Sequence, residues 1–248
     1  MASFNRYNNK VAIDHAATIK SEIYGEDCFF KLSENLLVDE YILGKSLRPY
    51  KLTILQKVIK DSILEGVNYS IKKTPDETYK EIYLEFYAFD VDYIKYENFR
   101  GDDFNDYICD LYEKEVISDL MENVFTILYS DREIMRQFNI IISEKIRVLK
   151  LNQWPKFLKR DGVMIRCTYW PKWLQNGLFR REQGHCACCQ KDLTGLLSNG
   201  NNIAIDHIVP LNMGGVNDPT NLKILCSDCN LKKGGDKIDT SDLYSRYW

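Results

Sequence analysis

Residues 203–211 read IAIDHIVPL, and residues 221–230 read NLKILCSDCN. The apolar residues of the first stretch alternate up to an Asp-His pair, which predicts a short strand. The second stretch predicts another short strand that leads into a Cys-x-x-Cys pair. The intervening residues 212–219, NMGGVNDP, are rich in turn formers and predict a loop. Residues 227–233 predict a helix of about two turns that ends at Gly234-Gly235.

Two Cys-x-x-Cys pairs frame this strand, loop, strand and helix, and 36 residues separate the pairs. The four cysteines are Cys186, Cys189, Cys226 and Cys229. Each pair directs two thiolates at one centre, and two pairs complete a tetrahedral site suited to zinc. Because four sulfur ligands leave no position for water, the Zn²⁺ is expected to be structural and to stabilise a segment with little core of its own. Cys188 and His185 are neighbouring alternatives as ligands, although only Cys186 with Cys189 gives the two-residue gap.

The segment from Arg180 to Lys233 closely resembles the HNH nuclease family, which has a ββα-metal fold. The resemblance rests on the cysteine pairs, DHIVP at 206–210, the glycines at 214–215, NL at 221–222 and LCSDCN at 225–230. It implies a small α+β domain that holds a structural zinc and a second, catalytic divalent ion.

The resemblance also implies a role for individual residues. Asp206 would bind the divalent ion while His207 faces the attacking water. Asn230 would supply the second metal ligand, and Asn221 would hold the loop and orient the histidine. Lys233 could contact a phosphate. In ideal strand geometry Asp206 and His207 point to opposite faces, so both reach one phosphate only if the strand end twists or bulges.

The chemistry of phosphodiester hydrolysis supports the same residues independently. The reaction needs a base to activate water, a cation to stabilise the transition state and donors to hold the phosphate. His207 is the only histidine in a motif, and a neutral imidazole suits a general base near pH 7. The third motif position is Asn230, so the pattern is H-N-N. Its amide oxygen, together with the Asp206 carboxylate, favours a hard ion that keeps several waters, hence Mg²⁺ or Mn²⁺.

Charge divides the chain into an acidic first part and a basic second part. Residues 1–150 hold 20 basic and 27 acidic residues, whereas residues 151–248 hold 13 and 9. Positions 150–181 carry eight basic residues against one acidic residue, and such a stripe attracts a polyanion. The candidate nucleic-acid contacts are Arg180, Arg181, Lys232 and Lys233. A solvated face without a partner is the alternative interpretation of the stripe.

We therefore predict three regions: a helical acidic domain over 1–150, a basic Trp-containing connector over 151–179 and an HNH domain over 180–248. The fold class is a mainly α N-terminal domain followed by a small α+β domain of the ββα-metal type. No apolar run reaches the roughly 20 residues of a membrane-spanning helix. The first residues lack an apolar signal core, so we expect a cytoplasmic protein without a membrane partner.

The helices of the first region are predicted from apolar residues at helical spacing. Such stripes cover residues 52–63, 117–128 and 134–146. Thr74-Pro75-Asp76-Glu77 predicts a helix start, with Thr74 as the capping residue and Pro75 at the first helical position. The alternation of apolar residues over 82–86 leaves a strand open as the alternative there.

The predicted activity is metal-dependent hydrolysis of phosphodiester bonds in DNA, double-stranded in the first instance, by a bacterial restriction or anti-phage HNH endonuclease. A mobile-element or repair nuclease is the alternative within enzymes. A non-catalytic zinc-ribbon module that binds nucleic acid is the alternative outside them. One HNH unit cuts one strand, so a double-strand break needs two units or two visits, which is consistent with a homodimer. Residues 1–150 could hold a partner protein, bind an activating ligand or form a dimer interface.

Overall fold

The computed structural model describes residues 9–26, 31–94, 103–195, 203–233, 237–238 and 240–241. The helices are α1 (Asn9–Tyr24), α2 (Leu32–Asn35), α3 (Glu40–Ser46), α4 (Ile54–Lys73), α5 (Pro75–Phe89), α6 (Asp103–Glu115), α7 (Ile117–Tyr129), α8 (Arg132–Arg147), α9 (Lys172–Arg181) and α10 (Ser227–Lys233). The strands are β1 (Leu158–Arg160), β2 (Val163–Met164), β3 (Ala204–His207) and β4 (Leu222–Leu225). The predicted fold class, a mainly α first part followed by a small α+β part, is confirmed.

The chain forms two compact units that do not follow its linear order. The first contains the described residues of 1–20 and 55–128, and the second contains those of 21–54 and 129–248. The second unit therefore combines an early segment, including α3, with the cysteine-rich part of the chain. The division into an acidic helical domain, a connector and an HNH domain stays a prediction, and so do the roles assigned to these regions.

In the first unit the predicted apolar stripes lie on helices α4 and α7, and their residues Leu55, Ile59, Leu120 and Val124 are buried. The alternation over residues 82–86 lies in helix α5, where Ile82 and Phe86 are buried and Leu84, between them, is 70% exposed. Helix α5 begins at Pro75 as predicted, but the Thr74 side chain makes no capping hydrogen bond to it. Within the described residues, no helix combines the length and apolar character that a membrane span requires.

In the second unit helix α8 supports the loop between β3 and β4. Asp131 caps the helix, because its carboxylate accepts hydrogen bonds from the backbone N–H groups of Glu133 and Ile134, at 2.8 and 3.1 Å. The buried face of α8 packs against a short 3₁₀ turn, Pro219–Asn221, that ends this loop. A hydrogen bond at 3.3 Å from Asn139 Nδ2 to Thr220 Oγ1 joins the helix and the turn.

The strand, loop, strand and helix predicted at the end of the chain are present. Strands β3 and β4 pair antiparallel in a register that sets Asp206 opposite Lys223 and His207 opposite Leu222. Helix α10 packs against both strands, and helix α9 packs against β4. Their apolar core includes Leu174 and Leu178 of α9, and β4 contributes further buried residues. The glycines predicted to end α10 lie outside the described residues.

A small hairpin, β1–β2, lies in the region predicted as a connector. Its turn contains Asp161-Gly162, and Gly162 has a φ of +65°. A Cβ atom at Gly162 would lie 2.6 Å from the Arg147 carbonyl oxygen, so the turn requires glycine at this position. Asp-Gly between two short strands is the sequence signal that predicts such a hairpin.

Candidate active site and metal centre

The four cysteines of the two pairs lie together beside the end of β4. Their Sγ atoms all lie within 4.8 Å of one another, and the Sγ atoms of Cys189 and Cys226 are 3.8 Å apart. Tetrahedral coordination with Zn–S bonds of about 2.3 Å places neighbouring sulfurs about 3.8 Å apart. The cluster therefore fits a zinc ion with four thiolate ligands.

Backbone amides donate hydrogen bonds to two of these sulfurs, those of Cys186 and Cys226. The Cys226 N–H donates to Cys186 Sγ at 3.3 Å, and the Cys229 N–H donates to Cys226 Sγ at 3.5 Å. Burial raises the pKa of the Cys186 thiol, but backbone N–H donors outweigh burial and lower this pKa to about 7. The thiolate is the form that binds metal. A further hydrogen bond, from the Ala187 N–H to the Ile224 carbonyl at 3.0 Å, fixes the first pair to β4.

The two alternative ligands considered from the sequence are not part of the cluster. Cys188 is exposed to solvent. His185 Nδ1 lies 2.6 Å from the Gln183 carbonyl oxygen. Among the residues that the structure describes, the group suited to a metal consists of the four cysteines of the two pairs.

His207 lies at the end of β3 in a buried environment, with 6% of its surface exposed. The rings of Trp170 and His207 pack in an edge-to-face arrangement, with centroids 5.9 Å apart and planes at 66°. Burial lowers the pKa of His207 to about 4, against the opposing effects of Asn217 and Asp206. The imidazole is therefore neutral at pH 7, which is the state that a general base requires.

Asn217, in the loop between β3 and β4, fixes the direction of this imidazole. Its Nδ2 atom donates to three backbone carbonyls, those of Ser46 (3.0 Å), Leu47 (3.1 Å) and Ile165 (2.8 Å). If the amide were turned the other way, Oδ1 would face these three carbonyl oxygens, and two acceptors cannot form a hydrogen bond. Oδ1 therefore faces His207 Nε2, at 3.1 Å.

This orientation determines which nitrogen of His207 carries the hydrogen. Because an amide oxygen only accepts hydrogen bonds, Nε2 must be the donor to Asn217. In a neutral imidazole the other nitrogen, Nδ1, then carries the lone pair. The geometry thus makes Nδ1 the atom of His207 that can take a proton.

Asn221 and a glycine hold the loop that follows His207. The fully buried Asn221 accepts a hydrogen bond from the Val209 N–H (2.8 Å) and donates to the carbonyls of Val209 and Val216 (2.9 Å each). A Cβ atom at Gly215 would lie 1.9 Å from the Val209 carbonyl oxygen, so the loop closes this tightly only around glycine.

Asp206 lies beside a buried lysine of helix α10. Its Oδ2 atom is 2.6 Å from Lys233 Nζ, and the two side chains are 23% and 4% exposed. Lys233 also donates to the backbone carbonyl of His207. Lys233 therefore joins α10 to both residues of the Asp-His pair and does not lie at the surface as a nucleic-acid contact would.

The divalent-cation site at Asp206 and Asn230 stays a prediction. Lys233 Nζ already pairs with Oδ2 of the Asp206 carboxylate, at 2.6 Å, which leaves Oδ1 as the oxygen for a metal ion. Asn230 is an exposed residue of the same helix α10, which packs against β3. A carboxylate and an amide oxygen are hard donors of the kind that Mg²⁺ and Mn²⁺ prefer.

The remaining predicted nucleic-acid contacts differ in exposure. Arg180 and Lys232 are exposed to solvent. The side chain of Arg181 is 1% exposed, lies 2.7 Å from the buried Glu182 carboxylate and donates to the Leu222 carbonyl. Arg181 is thus committed to internal partners and is not placed to bind a phosphate.

The paired strands, the following helix, the Asp-His pair and the thiol cluster define a site of the ββα-metal class. Residues 186–236 match the family model described as HNH endonuclease. The resemblance predicted from the sequence is confirmed over this segment, which implies a nucleic-acid substrate and a nuclease of the HNH type. A search of curated proteins found no match, and a search of solved structures found none.

Sequence reasoning missed two neighbours of His207. Asn217 was assigned only to a turn, and Trp170 only to the connector. The sequence gives no signal that a polar residue in a turn will be buried. The partners of Asn217 are the carbonyls of Ser46, Leu47 and Ile165, which are remote in sequence. The backbone N–H of Cys167 also donates to Asn217 Oδ1, at 3.2 Å, and joins the Trp170 segment to the same residue.

Proposed function

We propose that this chain is a metal-dependent endonuclease that hydrolyses phosphodiester bonds in DNA. The observation that carries the proposal is the position of His207. A neutral imidazole with a defined tautomer ends strand β3, directly after the carboxylate of Asp206 and inside the segment that matches the HNH endonuclease model.

In this proposal Nδ1 of His207 accepts a proton from the attacking water. Asn217 holds Nε2 through a hydrogen bond, so the imidazole keeps both its orientation and its tautomer while Nδ1 works as general base. Asn221 holds Val209 and Val216 and keeps the loop in place behind the histidine. The exposed side chains of Arg180 and Lys232 bind backbone phosphates of the substrate.

Asp206 and Asn230 hold the divalent ion. When bound, Mg²⁺ or Mn²⁺ would stabilise the negative charge that develops on the phosphate oxygens. Lys233 stays paired with Asp206 and orients its carboxylate. The four cysteines would hold the structural zinc that keeps β4 and α10 in place, because Cys226 lies between these elements and Cys229 lies within α10.

Cleavage of supercoiled plasmid DNA by the purified, zinc-loaded chain tests the proposal. Nicked and linear products are expected with added Mg²⁺ or Mn²⁺ and not without a divalent ion. Binding of the plasmid without any cleavage under either metal would favour the zinc-ribbon binding module instead. A labelled RNA of the same sequence, run in parallel, tests the preference for DNA.

The restriction or anti-phage setting stays a prediction, and the fragment pattern tests it. A site-specific restriction enzyme gives one fixed ladder of fragments from phage DNA. Indiscriminate cutting after a trigger points to an effector nuclease instead.

A further inference from the structure

A cleft of about 470 Å³ in the second unit is not used by the chemistry described above. Two segments of the chain, residues 48–51 and 167–173, form its walls. The lining residues are Arg48, Pro49, Tyr50, Lys51, Cys167, Tyr169, Pro171 and Trp173. The volume is in the range of sites that hold small organic groups.

The lining combines flat aromatic surface with positive charge. Tyr169 is 73% exposed, so its ring is accessible to a ligand in the cleft that it lines. Trp173 is half-buried and packs against the core under α9 and β4, so it is a firmly held surface for stacking. Arg48 and Lys51 are exposed, and the lining residues include no carboxylate.

The Tyr50 ring contacts two cationic side chains, those of Arg48 and Lys45. The Arg48 guanidinium lies 5.1 Å from the centroid of the Tyr50 ring, and Arg48 Nε donates to the Tyr50 hydroxyl at 2.9 Å. The Lys45 ammonium lies 4.6 Å from the same centroid. Tyr50 therefore engages cations, while Tyr169 and Trp173 supply the aromatic surface of the cleft.

One wall segment of the cleft, residues 167–173, also contacts the surroundings of His207. Cys167, in its wall, donates its backbone N–H to Asn217 Oδ1, the atom that also contacts His207 Nε2. Trp170, within the same wall segment, packs edge-to-face with the imidazole. A ligand in the cleft would thus lie on the segment that borders the candidate catalytic residue.

We propose that this cleft binds an unstacked nucleobase of the substrate strand close to the bond that is cut. Tyr169 and Trp173 stack on the base, and Arg48 and Lys51 contact the phosphates on either side of it. Aromatic stacking with basic neighbours is the chemistry by which proteins bind unpaired nucleotides. The inference rests on the proposed function for the class of substrate and adds a subsite formed largely outside the segment that matches the family model.

The base can come from a single-stranded segment or from a duplex out of which one base is extruded. The stacking chemistry is the same in both cases, but a duplex must first give up the pairing and stacking of that base. Three labelled DNA ligands distinguish these sources: a single strand, a fully paired duplex, and a duplex with one extra unpaired base. A fourth ligand, the single strand with abasic sugars at its central positions, keeps the phosphates and removes the bases.

Fluorescence anisotropy of the full chain, without added divalent ions, measures the four affinities. Tyr169→Ala removes an exposed ring, and Tyr87→Ala is the matched control because Tyr87 is 88% exposed in the first unit. Wild type is expected to bind the single strand about tenfold more tightly than the abasic strand. Tyr169→Ala should abolish most of this preference, whereas Tyr169→Phe and Tyr87→Ala should retain it.

The same ligands define the results that would overturn the subsite. Equal affinity of wild type for the two single strands would overturn it, and so would a Tyr169→Ala variant that keeps the full preference. Tighter binding of the duplex with an unpaired base than of the paired duplex supports an extruded base, whereas tight binding of the single strand alone supports a single-stranded substrate.

Plasmid cleavage by the same preparations separates this inference from the proposed function. If the chain cuts DNA but does not prefer strands with bases, the nuclease proposal stands and the subsite is refuted. If the chain prefers strands with bases through Tyr169 but never cuts DNA, the subsite stands and the nuclease proposal is refuted.

Discussion

The orientation of the Asn217 amide predicts the tautomer of His207, and wild-type protein suffices to measure it. In the Nδ1–H tautomer, the lone pair of Nε2 would face Asn217 Oδ1 at 3.1 Å. The buried Nε2 lone pair would then have no donor, although Oδ1 keeps the Cys167 N–H. Leaving a buried acceptor such as Nε2 unsatisfied costs about 1–3 kcal/mol. The Nε2–H tautomer is therefore expected to predominate by roughly 5- to 150-fold at pH 7.

Long-range ¹H–¹⁵N correlation NMR of protein labelled with ¹⁵N-histidine distinguishes the two tautomers. The chain contains three histidines, so His15→Gln and His185→Gln variants assign the signals of His207. We expect a protonated Nε2 and a lone pair on Nδ1. A dominant Nδ1–H form in the zinc-loaded protein would refute the amide orientation and, with it, the assignment of Nδ1 as the base.

Replacement of the amide extends this test to catalysis. Asn217→Leu removes the acceptor for His207, so kcat is expected to fall about 100-fold, the lower end of what a general base contributes. KM should change little, because the proposal places no substrate contact on Asn217. The variant also loses the hydrogen bonds that Asn217 Nδ2 donates to backbone carbonyls, so its melting temperature and zinc content are measured in parallel. A folded variant with unchanged kcat would contradict the positioning role.

Three further substitutions test the zinc site and the arginine pair. Cys226→Ser should release zinc and unfold the C-terminal segment; zinc analysis and circular dichroism measure this, and a folded variant that keeps its zinc would contradict the four-thiolate site. Arg180→Gln should weaken DNA binding and reduce the slope of log K against log salt by about one, and an unchanged slope would show that Arg180 binds no phosphate. Arg181→Gln should instead lower the free energy of unfolding by about 1–3 kcal/mol, because the Glu182 carboxylate and the Leu222 carbonyl lose its hydrogen bonds while Arg132 still pairs with Glu182. Stability equal to wild type in urea denaturation would disprove this structural role.

The sequence predicts the cysteine site and the order of strands and helix well, because each depends on local spacing. Two Cys-x-x-Cys pairs restrict the chain to a short list of geometries, and alternation followed by turn residues defines β3 and β4. The start of α5 at Pro75 follows from the fixed φ of proline.

Features that depend on contacts between distant segments could not be predicted in this way. Asn217 takes its role because the end of α3 and Ile165 both contact the loop between β3 and β4. No local sequence pattern predicts contacts between such distant segments. The burial of Arg181 depends on Glu182, which also binds the buried Arg132 of α8. A basic stripe in the sequence therefore contains both an exposed arginine and a structural one.

The most direct test of His207 as the catalytic base is the rate at which His207→Ala nicks supercoiled plasmid with Mn²⁺. Wild type and a matched His185→Ala variant are measured beside it, all with equal zinc content and the same thermal unfolding profile. Catalysis through His207 predicts at least about a 100-fold loss for His207→Ala, with His185→Ala close to wild type. A zinc-loaded, folded His207→Ala that nicks DNA at the wild-type rate would contradict it.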